Sequence, residues 1–109
     1  LENTLTVVDD IALPLDKIRL RAAGSDAGHN GLKDIQNILG TDKYPKLRFG
    51  IGNNYPKGMQ ADFVLGKWQK AEEPTVQLKI ETCLEIMESF IATGIEQTMT
   101  EFNKISVKP

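Results

Sequence analysis

After Pro74 the apolar residues Val76, Ile80, Cys83, Leu84, Met87, Phe90 and Ile91 recur at three- and four-residue intervals. That spacing predicts one apolar face on an α-helix of about four turns, and such a helix persists only if something covers the face. Gly94 interrupts the pattern. Ile95, Met99 and Phe102 resume it, so a second short helix or a kinked extension follows. The cover must come from upstream, where the periodicity changes. Leu5-Thr-Val-Val8 is a β-branched run that reads as the buried strand of a sheet, closing on Asp9-Asp10. Lys17-Ile-Arg-Leu-Arg21 alternates charge with aliphatic, the signature of a strand with one wet face, and Leu47-Arg-Phe-Gly-Ile51 is a further strand. From Asn30, Leu32, Ile35, Ile38 and Leu39 mark a helix that stops at Gly40. Asn53 to Gly58, with Pro56, reads as an exposed loop, and Ala61-Asp-Phe-Val-Leu65 as a short strand or extended segment before Gly66 and Trp68. Ser106 to Pro109 are expected to fray. Strands interleaved with helices in this order predict an α/β fold, a mixed twisted sheet flanked by helices.

At 109 residues the chain holds at most one domain with a modest core. Hydrophobic residues at 40% and charged ones at 26% are ordinary for a globular protein, and no apolar run approaches the ~18 residues of a membrane span. No basic n-region precedes an apolar stretch at the start, so no signal peptide is visible. The single Cys83 falls in the helical stripe and is read as a core thiol of an intracellular protein. A net charge of −2 argues against wholesale electrostatic capture of nucleic acid but leaves room for a local basic patch. The chain begins without Met and with an interior-type strand almost at once, so it is expected to be a fragment of a longer protein.

The chemistry concentrates in Gly24-Ser-Asp-Ala-Gly-His-Asn-Gly-Leu-Lys33, which carries His29, the only histidine. Histidine is the side chain whose ordinary pKa lies near neutrality. With glycines around it, Asn30 beside it and the Asp9-Asp10 pair upstream, the stretch suits acid–base work. The residues alone nominate His29 as a base oriented by Asp9. One Cys and one His at unrelated spacing cannot build a zinc site, and no cofactor is expected.

Asp9-Asp-Ile-Ala-Leu-Pro14, Lys17-Ile-Arg-Leu-Arg21, Gly24 to Lys33, Leu47-Arg-Phe-Gly-Ile-Gly52, Ala61-Asp-Phe-Val-Leu-Gly66 and Ile95-Glu-Gln-Thr-Met-Thr-Glu-Phe-Asn103 together resemble the bacterial-type peptidyl-tRNA hydrolase family in order and spacing. The resemblance covers nearly all of the chain, and only the C-terminal part of the family domain. It implies hydrolysis of the ester joining a peptide to the 3′ ribose of tRNA, which recycles the tRNA in the cytoplasm, with no metal or cofactor. In the family an upstream asparagine, the histidine assigned as general base and a Met-Asn pair precede the region matched here. None has a counterpart in this sequence, so residues 1–109 alone are expected to be inactive.

The resemblance assigns Asp9 the task of orienting the general-base histidine; its plain alternative is a loop carboxylate capping a turn. His29 matches the family's second histidine, near substrate or water, and not the base. Asn30 matches an amide donor to the substrate or its hydrolytic water, and it also suits the N-cap of the following helix. Gly24, Gly28 and Gly31 would let backbone approach the tRNA acceptor end, or simply make a tight loop. Arg21 and Arg48 match positions that clamp the tRNA 5′-terminal phosphate through forked donors, against the alternative of two solvated strand residues. Lys57 is a weaker match to a further basic contact. Asp10 reads as a solvated neighbour, and Trp68, Met87 and Phe90 as core packing. An alternative function is a hydrolase-like module that binds RNA or protein without catalysis. The intact protein is expected to be a monomer. The fragment, with unpaired sheet edges and bare apolar surface, is expected to self-associate.

Overall fold

The computed structural model describes residues 3–55 and 57–104. The expectation for Ser106 to Pro109 lies outside them, as does Pro56 within the Asn53–Gly58 loop. Three strands form one mixed sheet: β1 (Thr6–Asp10), β2 (Ile18–Arg21) and β3 (Lys46–Gly50). The spatial order is β1-β3-β2, with β1 parallel and β2 antiparallel to the central β3. Helices α1 (Asn30–Leu39), α2 (Gln60–Leu65), α3 (Glu73–Thr93) and α4 (Ile95–Phe102) complete the described chain, and a single 3-10 turn at Lys70–Glu72 leads into α3.

Register assigns the two faces of the sheet. Ile18 pairs with Phe49 and Leu20 with Leu47, so these four share a face. Ile18, Leu20 and Leu47 pack there against Cys83 and Ile86 of α3, with Met99 and Phe102 of α4 alongside. The opposite face carries Val8, which joins Leu32 and Ile35 of α1 and Tyr44 in a second cluster. The sheet is therefore sandwiched, as its alternating and β-branched runs require. Asn103, just beyond α4, closes the outer edge of β2. Its side chain accepts from the Leu20 N–H at 2.8 Å and donates to the Leu20 carbonyl at 2.9 Å, doing what a fourth strand would do.

Three expectations change. Ala61 to Leu65 is helical, part of α2, and not a strand. A short apolar run is ambiguous by periodicity, and here the packing of Phe63 on the Tyr55 ring, centroids 5.0 Å apart, accompanies the helical turn. The buried face of α3 is rotated from the predicted one: Val76, Lys79, Cys83 and Ile86 are buried, while Ile80, Leu84 and Ile91 are exposed. The inward stripe takes a lysine because its long stem packs while its ammonium finds backbone acceptors. Finally, β1 is an edge strand of the three-stranded sheet, with Val7 exposed and Val8 buried, where an interior strand was expected. Cys83 is buried, as its place in the stripe implies.

Candidate active site

Parallel pairing of β1 with β3 carries Asp9 to the level of Phe49, near the end of the sheet where the loop after β2 also arrives. That loop is stitched before it becomes helix. Asp26 accepts the Gly28 N–H on its side chain at 2.9 Å and the His29 N–H on its carbonyl at 2.8 Å. Gly28 sits at φ +83°, which a side chain would strain. The turn delivers His29, not Asn30, as the N-cap of α1: its Nδ1 accepts the Leu32 N–H at 3.2 Å. Asn30 is the first helical residue and is exposed, its side chain in no hydrogen bond among the described residues.

His29 Nε2 lies 2.9 Å from Asp9 Oδ1, so the structure joins the two residues that the sequence singled out. An Nδ1 that accepts a backbone N–H is unprotonated, which places the ring proton on Nε2, donated to Asp9. Both ring nitrogens are therefore committed. Neither is available to take a proton from water in this arrangement, and the nomination of His29 as general base from residue types alone fails on this geometry. A Cβ on Gly31 would come within 3.0 Å of His29 Cε1 and 3.3 Å of Nδ1, so the glycine leaves room for the ring.

A second link runs beside the first. Arg48 on β3 donates from Nη2 to the Ser25 carbonyl at 2.6 Å, and its Nη1 faces Asp10 Oδ2 at 3.7 Å. Asp10 is not the solvated neighbour expected: its side chain is only 12% exposed and that of Arg48 11%. Asp9–His29 and Asp10–Arg48 thus tie the end of β1 to the Gly24–His29 loop and its support. Arg21 shares the sheet face of Arg48, two residues beyond Arg19, which stands directly opposite Arg48. The Arg21 guanidinium donates to the carbonyl of Leu20 at 2.9 Å and is otherwise exposed. Lys57 is exposed in the loop after β3.

A small cavity of about 70 Å³ is bounded by Asp9, Asp10, Asp26, His29, Arg48 and Gln60 among others. Beside it an open cleft of about 490 Å³ runs past Asp9, Val7, Phe49 and Trp68. Trp68, expected in the core, is 40% exposed and forms part of that wall, its ring centroid 6.3 Å from Phe49. Among the described residues no cluster of three or more His, Cys, Asp or Glu side chains could hold a metal ion. Nor is any described helix long and apolar enough to cross a membrane.

Sequence reasoning missed the Asp10–Arg48 pair, because strand pairing alone brings them together. It also missed Lys79, whose Nζ donates to the carbonyls of Leu15 and Gly50 behind the site. The signal for Lys79 was present: it stands three residues after Val76 and four before Cys83, both buried.

Comparison with known proteins agrees with this fold. The peptidyl-tRNA hydrolase family model matches residues 1–109. A peptidyl-tRNA hydrolase of Bacteroides fragilis is 55% identical over 104 residues, 95% of this chain and 56% of the relative. One from Gloeobacter violaceus is 40% identical, over 94% of this chain and 52% of the relative. The crystal structure of peptidyl-tRNA hydrolase from Acinetobacter baumannii superposes with a TM-score of 0.85 at 28% identity, covering 95% of this chain and 53% of that one. The chain thus spans about half the length of these relatives.

Proposed function

The chain belongs to the peptidyl-tRNA hydrolase family, and on that premise we propose that it forms part of an enzyme that hydrolyses the peptide–tRNA ester, recycling tRNA in the cytoplasm. The observation that carries the reading is the 2.9 Å contact between His29 and Asp9, at a loop that also presents Asn30 to solvent.

Ester hydrolysis needs a base for the water, a group that orients it, and donors for the developing oxyanion. In this reading Asp9 is the orienting carboxylate. Its side chain is 39% exposed, so a second partner can reach the oxygen lone pairs that His29 leaves open. Because His29 has both nitrogens engaged, its part is to fix Asp9 and border the substrate. The base is a histidine outside these 109 residues, as the resemblance implies. Asn30 offers its amide to the substrate carbonyl or the attacking water. Gly28 and Gly31 keep the loop low against the acceptor end. Arg48, Arg21 and, more distantly, Lys57 receive the 5′ phosphate. A monomer is proposed for the intact protein, and self-association for the isolated chain through the β1 edge and the exposed Ile80, Leu84 and Ile91.

The test is a chimera in which this chain replaces the matching stretch of the Bacteroides fragilis relative. It is expected to cleave a peptidyl-tRNA, and Asp9→Asn to lower turnover by about 100-fold or more, the scale of a lost acid–base arrangement. Undiminished turnover in the variant overturns the role of Asp9. The 109-residue chain alone is expected to show no turnover.

A further inference from the structure

We propose that Lys79 is a positioning residue for the site: its ammonium locks the end of β3 to the loop after β1 and so holds Asp9 where it meets His29. The inference rests on the reading of Asp9 as the orienting carboxylate. Lys79 is fully buried, yet the inward stripe of α3 asks only for an apolar stem. Taking an ammonium out of water is costly, and a methionine of similar length would fill the stripe without that cost. The charge acts at one place. Nζ donates to the carbonyls of Gly50 at 2.5 Å and Leu15 at 2.6 Å, and it sits 3.9 Å from the centroid of the Phe49 ring.

Those three residues surround the end of β1. Phe49 and Gly50 are the register partners of Asp9 and Asp10, and Leu15 belongs to the loop that leaves Asp10. Backbone bonds lace this loop and strand end to the end of β3: Gly50, Ile51 and Gly52 donate to the carbonyls of Lys17, Asp10 and Leu13. Lys79 reaches the same seam from α3, and a charged donor bonds a carbonyl about twice as strongly as a neutral one. Leu15, Phe49 and Asp9 all border the cleft of about 490 Å³, so the ammonium stands behind the wall that carries Asp9. When it discharges or is replaced, the seam loses both charge-assisted bonds and Asp9 loses its backing. The titratable groups whose charge Lys79 feels are Asp16 of that loop and Cys83 of its own helix.

His29 is the only histidine, so its ring gives one unambiguous NMR signal in the 109-residue chain. In wild type the Lys79 Cε signal follows the discharge of the ammonium, at about pH 8. The His29 Cε1 signal is expected to carry an inflection at that same pH, while the methyl group of the buried Thr98 in α4 stays still. In Lys79→Met, shown to be folded by its urea midpoint, the inflection is expected to vanish and the His29 Nε2 proton to exchange about tenfold faster. In the chimera described above, Lys79→Met is expected to lower kcat about tenfold with KM unmoved, as a slightly misplaced group would. A wild-type His29 signal that ignores the Lys79 midpoint overturns this inference, whether or not the variant folds, and leaves the reading of Asp9 standing. An inflection that persists in Lys79→Met comes from another group and overturns it equally. Turnover undiminished by Asp9→Asn overturns the reading of Asp9, and the role of Lys79 with it, whatever the NMR signals show.

Discussion

Lys79 Nζ, from the middle of α3, donates to the carbonyl oxygen of Gly50 at 2.5 Å, at the last residue of the central strand. The same ammonium donates to Leu15 at 2.6 Å and lies 3.9 Å from the centroid of the Phe49 ring. A helix two layers away from His29 therefore fixes the loop and strand end that follow Asp9 and Asp10. The Asp10 carbonyl takes part too, accepting the Ile51 N–H at 3.1 Å.

Burial pushes the Lys79 ammonium down from its usual 10.5 to about 8, against smaller raising effects of Cys83 and Asp16. Between those two values the unfolded chain binds the proton that the folded chain has released, so stability should rise with pH across that window. Unfolding free energy is expected to climb from pH 8 to 10.5 in wild type relative to Lys79→Met, by on the order of 2 kcal/mol. Cys83, whose thiol burial pushes up, slopes the other way. Because the Lys79 ammonium also lowers that thiol, its slope changes in Lys79→Met, and the comparison is made in a Cys83→Ala background. Urea titrations at a series of pH values measure it; parallel curves would refute the buried-charge account.

His29 both caps α1 and pairs with Asp9. His29→Ala loses both contacts and is expected to cost about 2 kcal/mol. His29→Asn restores a side-chain acceptor for the Leu32 N–H without reaching Asp9, and should recover about half of that. A double-mutant cycle with Asp9→Ala, which removes the acceptor, reads the pair directly, and zero coupling would mean that the two do not interact in solution.

At Gly50 a Cβ would run into the carbonyl oxygens of Pro14 and Lys17 and the Leu13 side chain. The two oxygens are backbone atoms that cannot fold away. Gly50→Ala is expected to destabilise the chain by about 3 kcal/mol or more, seen as a lower urea midpoint. An unchanged midpoint would mean that the loop after β1 is not seated as described.

Asn103 supplies both edge hydrogen bonds to Leu20. Asn103→Asp keeps the acceptor but sets a carboxylate oxygen against the Leu20 carbonyl, so it is expected to be as damaging as Asn103→Ala, about 1–3 kcal/mol. Amide exchange at Leu20 should quicken in both variants. Slow exchange there in Asn103→Ala would show that the β2 edge is protected by something else.

Much of this protein was legible from local pattern. The helix from Asn30 to Leu39 with its stop at Gly40, the three strands near their observed positions, the buried Cys83 and the pairing of His29 with Asp9 all follow from periodicity and residue type. Such features depend on neighbours within a turn or a strand, and the chain itself carries that information. The tertiary structure decided the rest. It rotated α3 so that Lys79 turns inward and Ile80 outward, because a long stem with two waiting carbonyls outweighed the plain hydrophobic choice. It gave the cap of α1 to His29, because the ring had Asp9 to lean on. It set Asp10 against Arg48, since register between β1 and β3 is a property of the pair and of neither strand.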